Sequence, residues 1–383
     1  MRTLLALLGC ALLAACATPP APRADERFFA DARFAPPSER IRAEDVFALS
    51  PAMTQYLNRE IAAIARTRGK QHGLVDAILS EGRLRLEYDS TMTRNAAQAF
   101  EARTGNCLSL VIMTAAFAKE LGIPVHYNAV YTDETWARSG DLQLVVDHIN
   151  LSLGRRLGET AIGALPPEVL TIDFLPQQDL RGQRSRELPE QTVVAMYMSN
   201  RAAEALALGR LNDAYWWARE AVLQDPGLVR GYNTLGVVYR RHGDLAQAER
   251  VLRHAMAQEA SNPRIVANLA QVLSDMGRDG EAAAMRQRLA QLERDPPFAY
   301  FYRGQDALAR GDYAAARDLF AREVARAPYY HEFHYWLARA YAGLGDEAQA
   351  KKHLALAAEN STTRKDHDLY AAKLDRLRSS AAH

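Results

Sequence analysis

Five alanines stand 34 residues apart: Ala214, Ala248, Ala282, Ala316 and Ala350. A fixed period of that length marks a chain built from one small structural unit repeated, and it constrains the fold before any other feature does. A glycine-led turn precedes each alanine: Gly209-Arg210, Gly243-Asp244, Gly277-Arg278, Gly311-Asp312 and Gly345-Asp346. The residues before those turns recur as well. Tyr232, Leu235, Gly236 and Tyr239 answer to Tyr300, Gly304 and Ala307, and to Leu337, Ala338 and Tyr341. Pro226, Pro263, Pro296 and Pro328 close or follow several units. Small alanines let paired helices approach closely, and each unit buries its face only on its neighbour. Five units exceed the ~3 that a stable stack needs.

The pattern resembles five tetratricopeptide repeats over residues 195–378, with residues 365–378 as a polar capping helix. The resemblance implies an all-α solenoid with a groove for protein or peptide. Tyr215, Trp216, Trp217, Tyr329, Tyr330, Tyr335 and Trp336 are candidates to line that groove. For most of these rings, packing between helices is the expectation. Arg286 and Arg303 fall at positions that such repeats usually keep apolar.

The rest of the chain is organised around Arg103-Thr104-Gly105-Asn106-Cys107-Leu108-Ser109. Residues 108–121 are apolar apart from Ser109, Thr114, Lys119 and Glu120, so a helix there is expected to be buried on nearly every side. Gly105-Asn106 is a turn-and-cap signal that places Cys107 in the first helical turn. Unsatisfied N–H groups and the helix dipole favour a thiolate at that point. A small buried hydrophobe is the other reading of such a cysteine.

The N-terminus gives Cys107 its context. Met1-Arg2 is a short basic start, and residues 3–15 are apolar but too short for a bilayer, which needs ~20 residues. The run ends in Leu13-Ala14-Ala15-Cys16, which resembles a bacterial lipobox. That resemblance implies a signal peptide over residues 1–16, lipid on Cys16, and an outer-membrane lipoprotein facing the periplasm, since Ala17 follows the cysteine. Residues 17–37 then read as a tether, stiffened by Pro19, Pro20 and Pro22. Of three cysteines, Cys10 leaves with the signal and Cys16 carries lipid, so Cys107 is a lone thiol in an oxidising compartment. There a free cysteine calls for a working role.

With 47 basic and 46 acidic residues spread along the chain, no stripe argues for nucleic acid. The membrane is expected to be met through the lipid alone. The reading calls for no cofactor and no metal.

Residues 38–190 read as a first domain. Ser50-Pro51 starts a helix running to about residue 66; a second helix covers 71–79 and a third 95–102. After the cysteine helix, residues 125–131, 142–153 and 169–174 read as strands, giving an α+β core. A thiol nucleophile needs a base in reach and a third group to orient it. His148, in Asp147-His148-Ile149-Asn150, and Asp173, in Thr171-Ile172-Asp173, are the candidates; His126 is a rival base with no well-placed acid after it.

These segments, with Ala116-Phe117-Ala118-Lys119-Glu120-Leu121-Gly122-Ile123-Pro124, resemble the bacterial transglutaminase-like superfamily over residues 80–180. The resemblance implies a papain-like fold, with Cys107 as nucleophile, His148 as base and Asp173 as orienting acid. Leu108 stands where many members carry an aromatic, which leaves the oxyanion donor open between the Cys107 N–H and Asn106. The whole then reads as an α+β papain-like, transglutaminase-like domain followed by an all-α solenoid. Two functions fit it. One is a cysteine hydrolase (protease or amidase) or acyltransferase that works through a thioester on protein or peptide amides. The other is an inactive scaffold lipoprotein whose repeats assemble an envelope complex.

Overall fold

The computed structural model describes residues 24–80, 84–90, 92–139, 142–155, 169–174, 185–293 and 298–380; for 131–139 and 142–147 it describes the backbone only. The signal peptide, Cys16 and the first part of the tether lie outside the described residues.

Three short 3-10 turns, Glu26–Phe28, Asp31–Arg33 and Ala43–Asp45, lead into α1 (Pro51–Tyr56). Ser50 caps α1 through Met53 N–H, with proline at the first helical position as the sequence implies. A π turn, Leu57–Ile61, joins α1 to α2 (Ala62–Arg68), and α3 (Lys70–Leu79) follows. The two-residue strand β1 (Glu87–Tyr88) precedes α4 (Ala96–Ala102), whose capping box pairs Asn95 with Gln98. β2 (Thr104–Gly105) pairs in parallel with β1, setting Tyr88 opposite Gly105. The cysteine helix α5 (Cys107–Glu120) comes next and is buried from Cys107 to Ala118.

β3 (Val125–Ser139), β4 (Leu142–Leu153), β5 (Leu170–Ile172) and β6 (Ser185–Leu188) form one antiparallel sheet in the order β5-β4-β3-β6. Ile149, Leu151 and Leu153 alternate into the core, each fully buried. β6 is a strand that the sequence pattern did not announce. It is short and polar, and its place comes from pairing Leu188 with Tyr127.

The repeat region begins at α6 (Glu190–Ala207), five residues before the expected boundary at 195. Paired helices then follow: α7 (Leu211–Gln224), α8 (Val229–His242), α9 (Leu245–Gln258), α10 (Pro263–Asp275), α11 (Asp279–Leu292), α12 (Ala299–Ala309), α13 (Tyr313–Arg326), α14 (His331–Gly343) and α15 (Glu347–Glu359), with α16 (Arg364–Ser380) last. The glycines at 209, 243, 277, 311 and 345 all take positive φ, between 72° and 90°. A side chain would strain that backbone, which explains why glycine returns there every 34 residues. The five period alanines are each at most 1% exposed. Gly236 and Gly304 sit where a Cβ would meet Leu252 and Phe320 at 2.6 Å, so the paired helices touch there.

The stretch read as a tether is docked from residue 25 onward. Phe34 stacks on Tyr215 at 3.8 Å, and Phe28 meets Tyr232 edge-on at 5.6 Å. Tyr215 Oη donates to Asp31 at 2.5 Å, Tyr239 Oη donates to Phe28 O at 2.7 Å, and Asp213 accepts from both Ser38 N–H and Ser38 Oγ. Two aromatic anchors and a series of matched polar groups hold this strap on the first two repeats, which a proline-stiffened linker pattern does not foretell. Tyr215 and Trp217 are buried, as expected for most of the aromatics, whereas Tyr329 is exposed. Trp216 donates its indole N–H to Ala35 O of the strap.

Candidate functional site

Asn106 does the capping expected of it. Its Oδ1 accepts from Ser109 N–H at 2.9 Å and Ser109 Oγ at 2.8 Å, and its Nδ2 donates to Thr93 Oγ1 at 2.9 Å. Both ends of the side-chain amide are therefore used in positioning. The glycine before it is needed for room, since a Cβ on Gly105 would lie 2.6 Å from Ser109 Cβ. The cap sets Cys107 at the first position of α5, 2% exposed, inside the core and not on the surface.

β4 carries the imidazole and β5 leads to the carboxylate. Leu151 pairs with Ile172, so Asp173, one residue beyond β5, falls beside Asn150 and His148. His148 Nε2 is 2.7 Å from Asp173 Oδ2, and the same oxygen accepts from Asn150 Nδ2 at 2.9 Å. His148 is 3% exposed. With Nε2 engaged, Nδ1 is the buried ring atom left over. The Cys107 thiol lies against this ring. Burial pulls the imidazole pKa down, but the Asp173 hydrogen bond and the Cys107 thiol outweigh it, and the pKa is pushed up to about 9. The shift favours the imidazolium form of a ring held between a carboxylate and a sulfur. The structure thus brings Cys107, His148 and Asp173 together.

Asn150 belongs to a wider polar layer. Asn128 Nδ2 donates to Asn150 Oδ1 at 3.0 Å and to Ser152 Oγ at 3.1 Å, and Ser152 and Thr171 share a bond of 2.9 Å. These buried groups are satisfied by one another, and they hold the strand positions that carry the histidine and the acid.

His126 is tied elsewhere. Its Nδ1 meets Glu187 Oε1 at 2.8 Å and its Nε2 meets Gly154 O at 3.1 Å. An acid does partner it, from β6, contrary to the expectation that none would.

Tyr88 is a member of the site that the sequence did not single out. Its pairing opposite Gly105 carries the phenol to Cys107, whose backbone N–H donates to the phenol oxygen. Burial, and then the electrostatic influence of Cys107, push the phenol pKa up. The alternation Leu84, Leu86, Tyr88 marked a strand, but nothing local connects a tyrosine to a helix start 19 residues later.

The cysteine helix is also fastened to the repeats. Thr93 N–H donates to Glu204 Oε1 at 2.7 Å, and Asn200 Nδ2 donates to Thr93 Oγ1 at 3.2 Å, both partners lying on α6. Among the described residues, no cluster of histidine, cysteine or carboxylate side chains is arranged to hold a metal ion.

Several solved structures are similar to this chain. MamA shares 19% identity over 45% of this chain and 93% of its own, with a TM-score of 0.26. YrrB, described as a tetratricopeptide-repeat protein with an unusual peptide-binding site, shares 21% over 47% and 92%, with a TM-score of 0.25. PilF of Pseudomonas aeruginosa shares 18% over 49% and 94%, with a TM-score of 0.28. No curated protein matches the chain. A tetratricopeptide-repeat family model matches residues 239–302 and 307–374. With its paired helices, the 34-residue period of its glycines and alanines, and that match, the C-terminal region is a tetratricopeptide-repeat solenoid.

Proposed function

We propose that this chain is a cysteine acyl-hydrolase or acyltransferase of transglutaminase-like type, with a papain-like α+β unit over residues 38–190, anchored at the outer membrane through lipid on Cys16. The observation that carries the reading is the buried His148, bound to Asp173 through Nε2 and set against the thiol of the one cysteine of the domain. His126, by contrast, spends its two nitrogens on Glu187 and Gly154 O, away from the cysteine. The Leu13-Ala14-Ala15-Cys16 motif supports the anchor.

The chemistry runs as follows. The Cys107 thiolate, paired with imidazolium, attacks an amide carbonyl and forms a C–S bond. As the C–N bond breaks, His148 gives its proton to the leaving amine, and a thioester remains on Cys107. Water or a second amine, deprotonated by His148, then attacks the thioester, releasing an acid or a new amide and restoring the thiolate–imidazolium pair. The transient oxyanion needs donors. The Tyr88 hydroxyl, which accepts from the Cys107 N–H and keeps its own proton to give, is placed to be one such donor. Tetratricopeptide repeats bind protein or peptide partners, so the solenoid docks the substrate or a partner.

Iodoacetamide separates this reading from an inactive scaffold. The Cys107 thiol is expected to be alkylated at mildly acidic pH, and His148→Ala is expected to suppress that at least tenfold. A thiol equally inert in both chains would leave the scaffold reading.

A further inference from the structure

The connection between β1 and α4 is pinned to the cysteine segment on both sides of the sulfur. Asp89 N–H donates to Gly105 O at 3.0 Å, two residues before Cys107. Arg94 N–H donates to Ser109 Oγ at 2.8 Å, two residues after it. Ser109 also bonds to the Asn106 cap, so Arg94 is tied to the turn that sets the thiol. Tyr88, next to Asp89, brings its phenol to Cys107. After burial and Cys107 itself, the Asp89 carboxylate is a further influence that pushes this phenol up. Asp89 therefore lies within electrostatic reach of the phenol that touches the cysteine.

Arg94 carries the charge that answers Asp89. Its Nη1 stands 3.7 Å from Asp89 Oδ2, which is ion-pair distance but outside hydrogen-bond reach. Nη1 is buried and makes no hydrogen bond. A guanidinium N–H without an acceptor in a low-dielectric interior is costly, and arginine offers parallel N–H groups that match the two oxygens of a carboxylate. Asp89 offsets the charge without taking the Nη1 protons. His148, the cation at the sulfur, is already engaged by Asp173 and Cys107.

We propose that Arg94 determines specificity: its guanidinium takes a carboxylate of the substrate, close to the amide that Cys107 attacks. The inference rests on the catalytic reading of Cys107 and adds the class of substrate, an anionic one. Cys107 is 2% exposed and Nη1 is closed over with it, so the opening that admits a substrate to the sulfur also uncovers the guanidinium. A carboxylate held there fixes the neighbouring carbonyl against the thiolate.

Two alkylating reagents of nearly equal size make the test. Iodoacetamide and iodoacetate both lose iodide to the Cys107 thiolate, and they differ in an amide against a carboxylate. The full chain is treated with each at mildly acidic pH and ~0.15 M salt, where fields beyond ~8 Å are screened, and alkylation of Cys107 is followed by peptide mass spectrometry. The imidazolium draws anions too, so the quantity read is the rate ratio of iodoacetate to iodoacetamide and its change on substitution. Arg94→Gln is expected to lower that ratio about tenfold, from one lost charge-assisted contact. Arg94→Lys keeps the charge that answers Asp89, and with it the fold, but loses the planar fork; a smaller fall is expected. Variants are compared where their circular dichroism matches that of the unaltered chain. Arg103→Gln removes an exposed arginine four residues before Cys107 and is expected to leave the ratio within about twofold. A ratio unmoved by the Arg94 variants, or lowered equally by Arg103→Gln, overturns the inference while a reactive thiol keeps the catalytic reading. A thiol inert to both reagents removes that reading and this inference with it. Acetyl-Ala-Glu-Ala amide and acetyl-Ala-Ala-Ala free acid, added as protectants against iodoacetamide, tell an acidic side chain from a chain terminus. Protection that Arg94→Gln abolishes names the source of the carboxylate, and protection that it leaves unchanged counts against Arg94.

Discussion

Replacing Asp173 with asparagine isolates the charge that holds His148. One oxygen of Asp173 accepts from both His148 Nε2 and Asn150 Nδ2, so an asparagine oxygen placed there keeps these two hydrogen bonds while the negative charge is removed. The imidazole stands at about 9 against an ordinary 6.5. At 1.36 kcal/mol per unit, that difference is worth about 3 kcal/mol in favour of the imidazolium. His148 is 3% exposed, so solvent screening takes little from this figure. The direction follows from linkage. A group raised on folding adds stability in full below its unfolded value near 6.5, and that contribution is lost as pH rises through about 9. With the carboxylate gone, burial and the Cys107 thiol are left in opposition, and His148 is expected to fall by about 1–2 units, or roughly 1.5–3 kcal/mol. Imidazole ¹⁵N NMR, with His148→Gln used to assign the resonance, follows the titration directly. Urea unfolding at pH 6 and pH 10 checks the linkage: the unaltered chain should lose stability across that window, and Asp173→Asn should lose less of it. A titration midpoint that stays near 9 in the variant would refute the reasoning, because the carboxylate would not be what holds the proton.

Tyr88→Phe removes the acceptor of the Cys107 N–H at a half-buried position. It is expected to lower unfolding stability in urea by about 1–2 kcal/mol while leaving the helix content by circular dichroism unchanged. Gly304→Ala drives a Cβ to 2.6 Å from the Phe320 ring and should cost about 1–3 kcal/mol in thermal unfolding, whereas Gly280→Ala, with nothing within 4 Å, should raise stability by about 0.5–1 kcal/mol. Phe34→Ala removes the ring stacked on Tyr215; a loss of about 3 kcal/mol is expected, along with early cleavage between residues 25 and 39 in limited proteolysis.

The features that could be read from the sequence are those whose cause is local. A glycine in the left-handed region and an alanine at a helix contact each act within one unit, so their 34-residue period survives in the chain. The Cys107 helix is likewise announced by its own cap and its own apolar run. His148 and Asp173 could be named because strand patterns carry them, although their distance depends on the β4–β5 pairing. What escaped is nonlocal. β6 has four residues and takes its place only from β3, and with it comes Glu187, the partner of His126. Tyr88 reaches Cys107 through a two-residue parallel bridge that leaves no periodic trace. The strap has no helical or strand period, and its two phenylalanines mean little until Tyr215 and Tyr232 stand opposite them. Arg286 and Arg303, out of place for packed repeats, are in fact exposed. Among the described residues they sit either side of a division in the apolar interior, which runs from Phe28 to Ala282 and resumes as a separate cluster at Phe298.

Among the described residues the cysteine unit, the strap and the first three repeats share one apolar cluster, and a chain of polar groups also joins them. Asn106 bonds to Thr93, Thr93 to Glu204, Glu204 to Arg201, Arg201 to Glu39, and Glu39 to the indole of Trp217. Burial pushes the Glu204 carboxyl up, and its bonds to Thr93 and Arg201 work against that burial. The part of this chain from Asn106 to Arg201 is largely buried, so a deletion there strands a polar group in a low-dielectric interior. The helix cap that positions Cys107 therefore shares its hydrogen bonding with the first repeat, and the first repeat shares its own with the strap. Whatever lifts the strap removes Glu39 from Arg201, and the guanidinium that loses this partner lies three hydrogen bonds from the turn that sets the sulfur.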